Sequence, residues 1–325
     1  MSHNTTTAEA GRAGRAFNLR RILHSPLALP LIGLIVVSIL MGFASENFFS
    51  VSNIMNVLRQ VSIVGILAVG MTFVILTGGI DLSVGAVMAL SGTLAAGLMV
   101  NMAMPGWVGL LAGLGVGVGL GLFNGAMVAW GRMPAIIVTL ATMGIARGLG
   151  LLYSGGYPIS GIPSWISWFG IGRIGIVPVP VIAMVVIYAL AWVLLQRTAF
   201  GRHVYAIGGN ELAAKLSGVK TQFIKLTVYG ISGLTSAFAA LILTGRLMSG
   251  QPNAGVGFEL DAIAAVVLGG TAIAGGRGLI LGTLIGAVLL GILNNGLNLM
   301  GINPYLQDVI KGLIILLAIY IGREW

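Results

Sequence analysis

Long stretches without any charged side chain are the feature that most constrains how this sequence can fold. The charge-free runs are long and mostly apolar; the main ones are 22–45, 60–80, 82–131, 148–172, 174–196, 226–245 and 278–307. A helix that crosses a bilayer needs about 20 mostly apolar residues. Only 8% of the 325 residues are charged, against roughly 25% in a soluble domain. The sequence therefore predicts an all-α, polytopic membrane protein.

The runs predict about ten transmembrane helices, because 82–131 is long enough for two helices around the turn NMAMPG at 101–106. The predicted spans lie near 27–45, 61–77, 84–101, 107–130, 134–153, 178–196, 226–245, 259–274, 279–298 and 304–322. The eighth, 259–274, is short and Gly-rich, so it is either a complete span or a re-entrant one. The expected organisation is a tail at 1–26 and one transmembrane domain at 27–325, with a charged loop at 197–225.

The positions of Lys and Arg predict the orientation. With the N-terminus inside, twelve of them fall in inside segments and only three, Arg59, Arg173 and Arg246, fall outside. Because Lys and Arg accumulate on the cytoplasmic side, both termini and the loop 197–225 are expected to be cytoplasmic. The same scattering of cations accounts for the net charge of +9 without nucleic-acid binding. The chain has no cysteine, which excludes disulfides and thiolate metal sites.

An internal repeat links the two halves of the sequence. GLFNGAMVAWGRMP (121–134) and GILNNGLNLMGINP (291–304) share two glycines, an asparagine and a proline at identical spacing, 170 residues apart. The repeats would comprise spans two to five and seven to ten. An offset of five spans is odd, so the repeats would have opposite orientations, as in many transporters whose substrate path follows the repeat interface. Chance similarity among Gly-rich helices is the alternative.

Polar residues in or beside the spans are the candidates for a substrate path or gate. Asp81 and Ser83, in TGGIDLSVG (77–85), are either N-caps of the third span or part of that path, and Asp261 has the same two interpretations. Four amides are either interhelical hydrogen-bonding groups or path residues; they are Asn124, Asn294, Asn295 and Asn298. Asn294 and Asn298 are four residues apart, so they share one helix face, which we expect to look towards the path.

The charged loop contains a predicted short helix. Asn210 is a suitable N-cap, Glu211 to Leu216 favour a helix, and Gly218 is a suitable C-cap. Two helical turns are unstable alone in water, so this helix must pack against something, unless the segment is a solvated connector. The chain has no P-loop and no HExxH or GxSxG motif. We therefore expect no enzymatic activity, no cofactor and no metal site, and any ATPase must be a partner.

Four motifs together give the sequence a family resemblance: GIDLSVG, AIGGNELAAKLSGV, ELDAIAAVVLGGTAIAGGRG and GTLIGAVLLGILNNGLNL. From residue 47 to its end the chain resembles the ribose-type sugar permeases of bacterial ABC transporters. The resemblance implies an inner-membrane subunit that works with an ATPase, a second permease copy or close paralogue, and a periplasmic sugar-binding protein. It does not choose among ribose, xylose, arabinose, galactose and the furanosyl autoinducer.

The resemblance also implies that 208–218 form the coupling helix that enters a groove on the ATPase. The residues carried over to this helix are Gly209, Asn210, Glu211, Ala213, Ala214, Lys215, Ser217 and Gly218. A second hypothesis is a proton- or sodium-coupled transporter with Asp81 or Asp261 as the ion site, which would act alone and fail in the presence of an uncoupler. A membrane-embedded enzyme is the third, and it would need a catalytic constellation that the sequence does not contain.

Overall fold

The computed structural model describes residues 27–322, and this part of the chain is almost entirely helical. Its thirteen α-helices are α1 Ala28–Ala44, α2 Val51–Leu76, α3 Val84–Val100, α4 Gly106–Ala129, α5 Ala135–Ser154, α6 Ser167–Ile171, α7 Val179–Arg197, α8 Ala199–Gly209, α9 Glu211–Leu216, α10 Thr221–Leu247, α11 Phe258–Leu268, α12 Ile280–Leu299 and α13 Pro304–Gly322. The predicted tail at 1–26 lies outside the described residues.

Two antiparallel strand pairs occupy the connections. β1 Ile159–Ser160 pairs with β4 Ser249–Gly250, and β2 Arg173–Ile174 pairs with β3 Val177–Pro178. Each strand has two residues, so the pairs fasten connecting loops and form no sheet layer. The first pair ties the segment after α5 to the segment after α10.

Six helices in the described chain, α2, α4, α5, α7, α10 and α12, are long and apolar enough to cross a membrane, and α1 and α3 are shorter apolar helices of 17 residues. The all-α membrane fold expected from the charge-free runs is therefore confirmed. The predicted span ends agree with the helix ends to within a few residues, with two exceptions. These exceptions have identifiable local causes.

The first exception is α2, which begins at Val51, ten residues before the predicted start at 61. The Ser50 hydroxyl accepts the Asn53 amide hydrogen and so starts a helix that the polar residues up to Gln60 continue. The second is α11, which ends at Leu268 although the predicted span extends to 274. Its 11 residues rise about 16 Å, roughly half of the ~30 Å hydrocarbon core. The chain continues through 269–279 as a non-helical loop.

The core surrounds α2. The side chains of α2 from Val61 to Leu76 are almost all buried, and this helix packs against α7, α10, α11 and α12. A helix that is apolar on all sides belongs in the interior of a helical bundle. α1, α5 and α7 instead direct large apolar side chains outward, as Leu29, Leu152 and Leu190 do. Such a surface suits contact with lipid or with another membrane subunit.

Glycines allow α4 and α10 to pack backbone to backbone. A methyl group on Gly121 would overlap the Tyr229 carbonyl oxygen, and one on Gly233 would overlap the Gly117 carbonyl oxygen. Close approach of this kind drives helix association in lipid, where burial of apolar surface gains little. The glycines of α4 therefore belong to a tight helix contact.

Candidate coupling segment and membrane cavity

The loop 197–225 folds into two helices, α8 and α9. The predicted short helix is present as α9, Glu211–Leu216, and the Asn210 side-chain oxygen accepts the Ala213 amide hydrogen at 2.9 Å. Gly218 follows with φ +85, the left-handed conformation expected of a C-terminal cap. The preceding helix, α8, was not predicted, and it contains Gly209. The range 208–218 that the resemblance indicates therefore begins in the last turn of α8.

α9 is braced on its own subunit and still exposes apolar surface. The Lys225 ammonium on α10 lies 2.7 Å from the Glu211 carboxylate, and Ala214 is only 5% exposed. In contrast, Leu212 is 67% exposed and Leu216 is 81% exposed. Two leucines exposed on a short, fixed helix form a surface that fits a protein partner better than water. Ala214, by its burial, packs against its own subunit.

The end of α8 meets the ends of two broken helices in a cluster of backbone contacts. The Gly276 amide donates to the Leu76 carbonyl oxygen at 3.0 Å, which joins the loop 269–279 to the last turn of α2. Gly208 lies against both of these groups, and a methyl group on Gly208 would overlap them. A methyl group on Gly275 would lie 2.8 Å from the Gly78 nitrogen. We name Leu76, Gly78, Gly208, Gly275 and Gly276 the glycine joint.

The conformation of the glycine joint explains why it is built from glycine. Gly78, Gly275 and Gly276 have φ of +79, +88 and +72, values that side chains rarely allow. Tyr205 of α8 adds a further link, because its hydroxyl donates to the Gly278 carbonyl oxygen at 2.9 Å. Burial raises the pKa of the Tyr205 phenol, so this donor keeps its proton. The coupling segment is thus fastened to the loops that follow α2 and α11.

A buried polar network surrounds Asp81 in the loop between α2 and α3. Asp81 is 2% exposed, and its Oδ1 accepts the Ser83 amide at 3.0 Å and the Ser83 hydroxyl at 2.6 Å. Its Oδ2 accepts the Ser232 hydroxyl of α10 at 2.7 Å. The predicted capping role is wrong for Ser83, whose side chain makes no cap bond to α3 because its hydroxyl is committed to Asp81.

The network continues to α4 and α5 through Asn124. The Asn124 amide donates to the Ser83 oxygen at 3.0 Å, and Asn124 Oδ1 accepts the Thr142 hydroxyl at 2.6 Å. Asn124 is completely buried. A chain of satisfied hydrogen bonds across four elements holds helices in one arrangement. Asp81, Ser83 and Asn124 are therefore brought together in one buried network.

Two of the remaining asparagines also bond to neighbouring helices. Asn295 and Asn53 pair amide to amide at 2.8 and 2.9 Å, which ties α12 to α2. Asn298, which is exposed, accepts from Gln307 of α13 at 2.9 Å. Asn294 differs from them, because its Oδ1 is buried and makes no hydrogen bond to the described chain.

Asn294 lies in a cavity of about 370 Å³ between α2, α10, α11 and α12. Asp261 lines the same cavity, so the structure brings together one predicted residue from each of α11 and α12. Two further polar side chains, Gln60 and Arg246, complete the lining and were not among the predicted site residues. Both lie at the edges of charge-free runs, and this position, together with their polarity, is the only signal in the sequence that could have found them.

An ion-pair cluster adjoins the cavity. The Lys311 ammonium of α13 lies 2.9 Å from the carboxylate of Asp308, three residues earlier on the same helix. The same ammonium lies 3.6 Å from the Asp261 carboxylate. Asp261 therefore has a cation beside it, which reduces the cost of a carboxylate at this depth.

Interrupted helices, a cavity lined by four polar side chains and a fixed, exposed short helix in an all-helical membrane chain are typical of the membrane component of a transport system. The chain belongs to the family described as Branched-chain amino acid transport system / permease component, whose sequence profile matches residues 53–319. It is thus a transport component and not an enzyme.

Characterised relatives cover nearly all of the chain. The Ribose import permease protein RbsC of Bacillus subtilis (strain 168) is 50% identical over 297 residues, which are 91% of this chain and 92% of the relative. RbsC of Escherichia coli (strain K12) is 48% identical over 298 residues, 90% of this chain and 92% of the relative. The Fructose import permease protein FrcC of Rhizobium meliloti is 41% identical over 315 residues, which are 94% of this chain and 88% of the relative.

Proposed function

We propose that this chain is the membrane-spanning permease subunit of a bacterial ABC importer and forms the pathway for a monosaccharide, ribose or a related sugar. The sugar is delivered by a periplasmic binding protein, and a separate ATPase subunit hydrolyses ATP. The family description names amino acids, but the relatives of 41–50% identity are named as sugar permeases. The observation that carries the proposal is α9, with its exposed leucines, fastened through the glycine joint to the broken helices.

The coupling mechanism follows from these contacts. The exposed Leu212 and Leu216 dock on the ATPase, and motion of the ATPase moves α9 together with α8. Because α8 contacts the loops after α2 and α11 through backbone atoms, its displacement reaches both broken helices without passing through flexible side chains. The pathway between the helices then opens alternately to each side.

The proposed topology has ten crossings and two cytoplasmic termini. Eight apolar helices, together with α13 and with α11 plus its following loop, account for the ten. The loop 269–279 supports a crossing by α11, since its Gly276 reaches the last turn of α2, and α12 begins directly after it. A second permease copy or close paralogue would complete the membrane part of the importer.

The two repeats of opposite orientation are proposed as α2–α5 and α10–α13. Helices α2 and α10 begin 170 residues apart, and α4 and α12 end 170 residues apart. The contacts also correspond, because Gly121 of α4 abuts α10 and Gly291 of α12 abuts Val61 of α2. Related contacts at a constant offset support an inverted repeat more strongly than the shared motif does.

Among the predicted path residues, the two in the cavity are the ones we assign to the pathway, Asp261 and Asn294. The side chains of Asp81, Ser83, Asn124 and Asn295 bond to one another or to neighbouring helices, and Asn298 bonds to α13. Side chains committed in this way hold the helices together. They still influence transport, but through the shape of the bundle.

The test is reconstitution in proteoliposomes that contain the chain with its ATPase and sugar-loaded binding protein. We expect uptake of radiolabelled ribose that needs ATP hydrolysis and is insensitive to an uncoupler. The control is the same assembly with an ATPase variant that cannot hydrolyse ATP. Uptake by the chain alone, lost on addition of an uncoupler, would contradict the proposal and support the ion-coupled alternative.

A further inference from the structure

The cavity between α2, α10, α11 and α12 has the size and the lining of a small-molecule site. Its volume is about 370 Å³, inside the range of roughly 300–1,000 Å³ typical of ligand pockets. Each of the four helices contributes one polar side chain, namely Gln60, Arg246, Asp261 and Asn294. Polar groups that converge from four separate helices allow a ligand to be held in one orientation.

Asn294 gives the most direct indication of a ligand. Its Oδ1 is buried and makes no hydrogen bond within the described chain, whereas the amides of Asn124 and Asn295 are bonded at both ends. Buried polar atoms are nearly always hydrogen-bonded in native proteins, so this oxygen is free to accept from a partner outside the chain, either a water or a ligand. That partner must be a donor, and a hydroxyl group in the cavity meets this requirement.

Of the two charged groups that line the cavity, Asp261 disfavours the ammonium group of an amino acid, and Arg246 can donate to any ligand oxygen. Within residues 27–322 no carboxylate lies within 4.0 Å of the Arg246 guanidinium, so its fork of donors is available to vicinal hydroxyl oxygens. Asp261, in contrast, already has the Lys311 ammonium 3.6 Å away. A bound α-ammonium would have to compete with Lys311 for this carboxylate.

Apolar side chains complete the walls, among them Val61, Leu243, Phe258 and Leu290. A monosaccharide has a ring of C–H groups as well as hydroxyl groups, and its C–H face packs on an aromatic ring such as that of Phe258. An amphipathic lining of this kind matches both the hydroxyl groups and the C–H face of a sugar. In the proposed orientation the cavity lies in the outer half of the membrane, on the side from which the sugar arrives.

We infer that this cavity is a transient binding site for a neutral, polyhydroxylated ligand of monosaccharide size, in which Gln60 and Arg246 act with Asp261 and Asn294 as recognition residues. The inference rests on the proposed function and adds the place where the sugar is held inside the membrane domain. The site keeps a released sugar from returning to the periplasm before the pathway opens inward.

The first test measures sugar transported per ATP hydrolysed in proteoliposomes of the complete importer. Gln60→Leu and Asn294→Leu each remove hydrogen-bonding groups at similar volume. We expect each to lower the ratio roughly threefold to tenfold, the equivalent of one hydrogen bond. The matched control is Asn101→Leu, the same change at an exposed position outside the cavity. Normal ratios for both cavity variants would overturn the inference while leaving the proposed function intact.

A second test covers the case in which an amide variant fails to assemble. Val64 lines the cavity, and the chain has no cysteine of its own, so Val64→Cys provides a single reactive thiol. Ribose-loaded binding protein should slow its modification by a methanethiosulfonate reagent in the assembled importer, and should leave a control thiol at Ser167→Cys unaffected. Protection by leucine and not by ribose, or no protection by either, would overturn the inference. Failure of the unmodified importer to transport any sugar would instead count against the proposed function.

Discussion

Substitution of Gly208 by alanine tests whether the coupling segment acts through the glycine joint. The methyl group would overlap the Leu76 carbonyl oxygen and the Gly276 nitrogen, which are the two atoms of the hydrogen bond between α2 and the loop after α11. Both atoms belong to the backbone and cannot rotate away. The two loops and the end of α8 must therefore separate.

The cost of this separation has two parts. Overpacking costs about 1–3 kcal/mol, and a buried backbone pair left without its partner costs about 1–3 kcal/mol more. A total of about 2–6 kcal/mol corresponds to at least tenfold in any equilibrium that needs the closed joint. We expect the Gly208→Ala importer to assemble and hydrolyse ATP, while sugar uptake falls at least tenfold.

Gly209→Ala is the matched comparison. Gly209 is the next residue of the same helix, and a methyl group there would meet no atom of residues 27–322 within 4 Å. Uptake and ATPase activity are measured for both variants in proteoliposomes with the ATPase and binding protein. Equal uptake by the two variants would refute a mechanical role of the joint, and so would a Gly208→Ala importer that loses ATPase activity and uptake in parallel.

Three other predictions follow from contacts in the described chain. Leu216→Glu should change the stability of the isolated subunit by less than about 0.5 kcal/mol, because the side chain is exposed. It should weaken the binding free energy between subunit and ATPase by on the order of 2–5 kcal/mol, measured as reduced co-purification. Single cysteines should be labelled by a membrane-impermeant maleimide only from the cytoplasm at Ser217 and only from outside at Ser167, and reversed labelling would overturn the proposed orientation. Asp81→Leu removes the acceptor of two buried hydroxyls and should cost about 1–3 kcal/mol for each, seen as a lower melting temperature in detergent. Asp81→Asn keeps one oxygen as an acceptor and should lower the melting temperature clearly less than Asp81→Leu.

Local features of the sequence predicted most of the secondary structure. The charge-free runs gave the helix positions because a membrane helix must bury about 20 apolar residues wherever it packs. The short helix α9 was equally predictable, since Asn210 and Gly218 act on their immediate neighbours. The eighth span was predicted too long, because the apolar composition of 269–274 does not reveal that glycines such as Gly270, at φ +83, end the helix.

The sequence does not show which polar residues line the proposed path. Asn294 and Asn295 are adjacent and chemically identical, yet one has an unbonded oxygen in a cavity and the other pairs with Asn53, 242 residues away. One step along a helix rotates a side chain by about 100°, so the partner depends on which helix packs on that side. Neither amide carries that information in its own neighbourhood.

The sequence by itself determined the class of fold, the bounds of most of its long helices to within several residues, and the short helix α9. Each of these depends on residues close together in the chain. Only the tertiary structure decided that Gly208, Leu76 and Gly276 meet at one point and that Gln60 and Arg246 complete the cavity. Such contacts join residues from distant parts of the chain, and they arise from helix packing. In lipid, helix packing is set by close contacts between small residues and not by the apolar pattern.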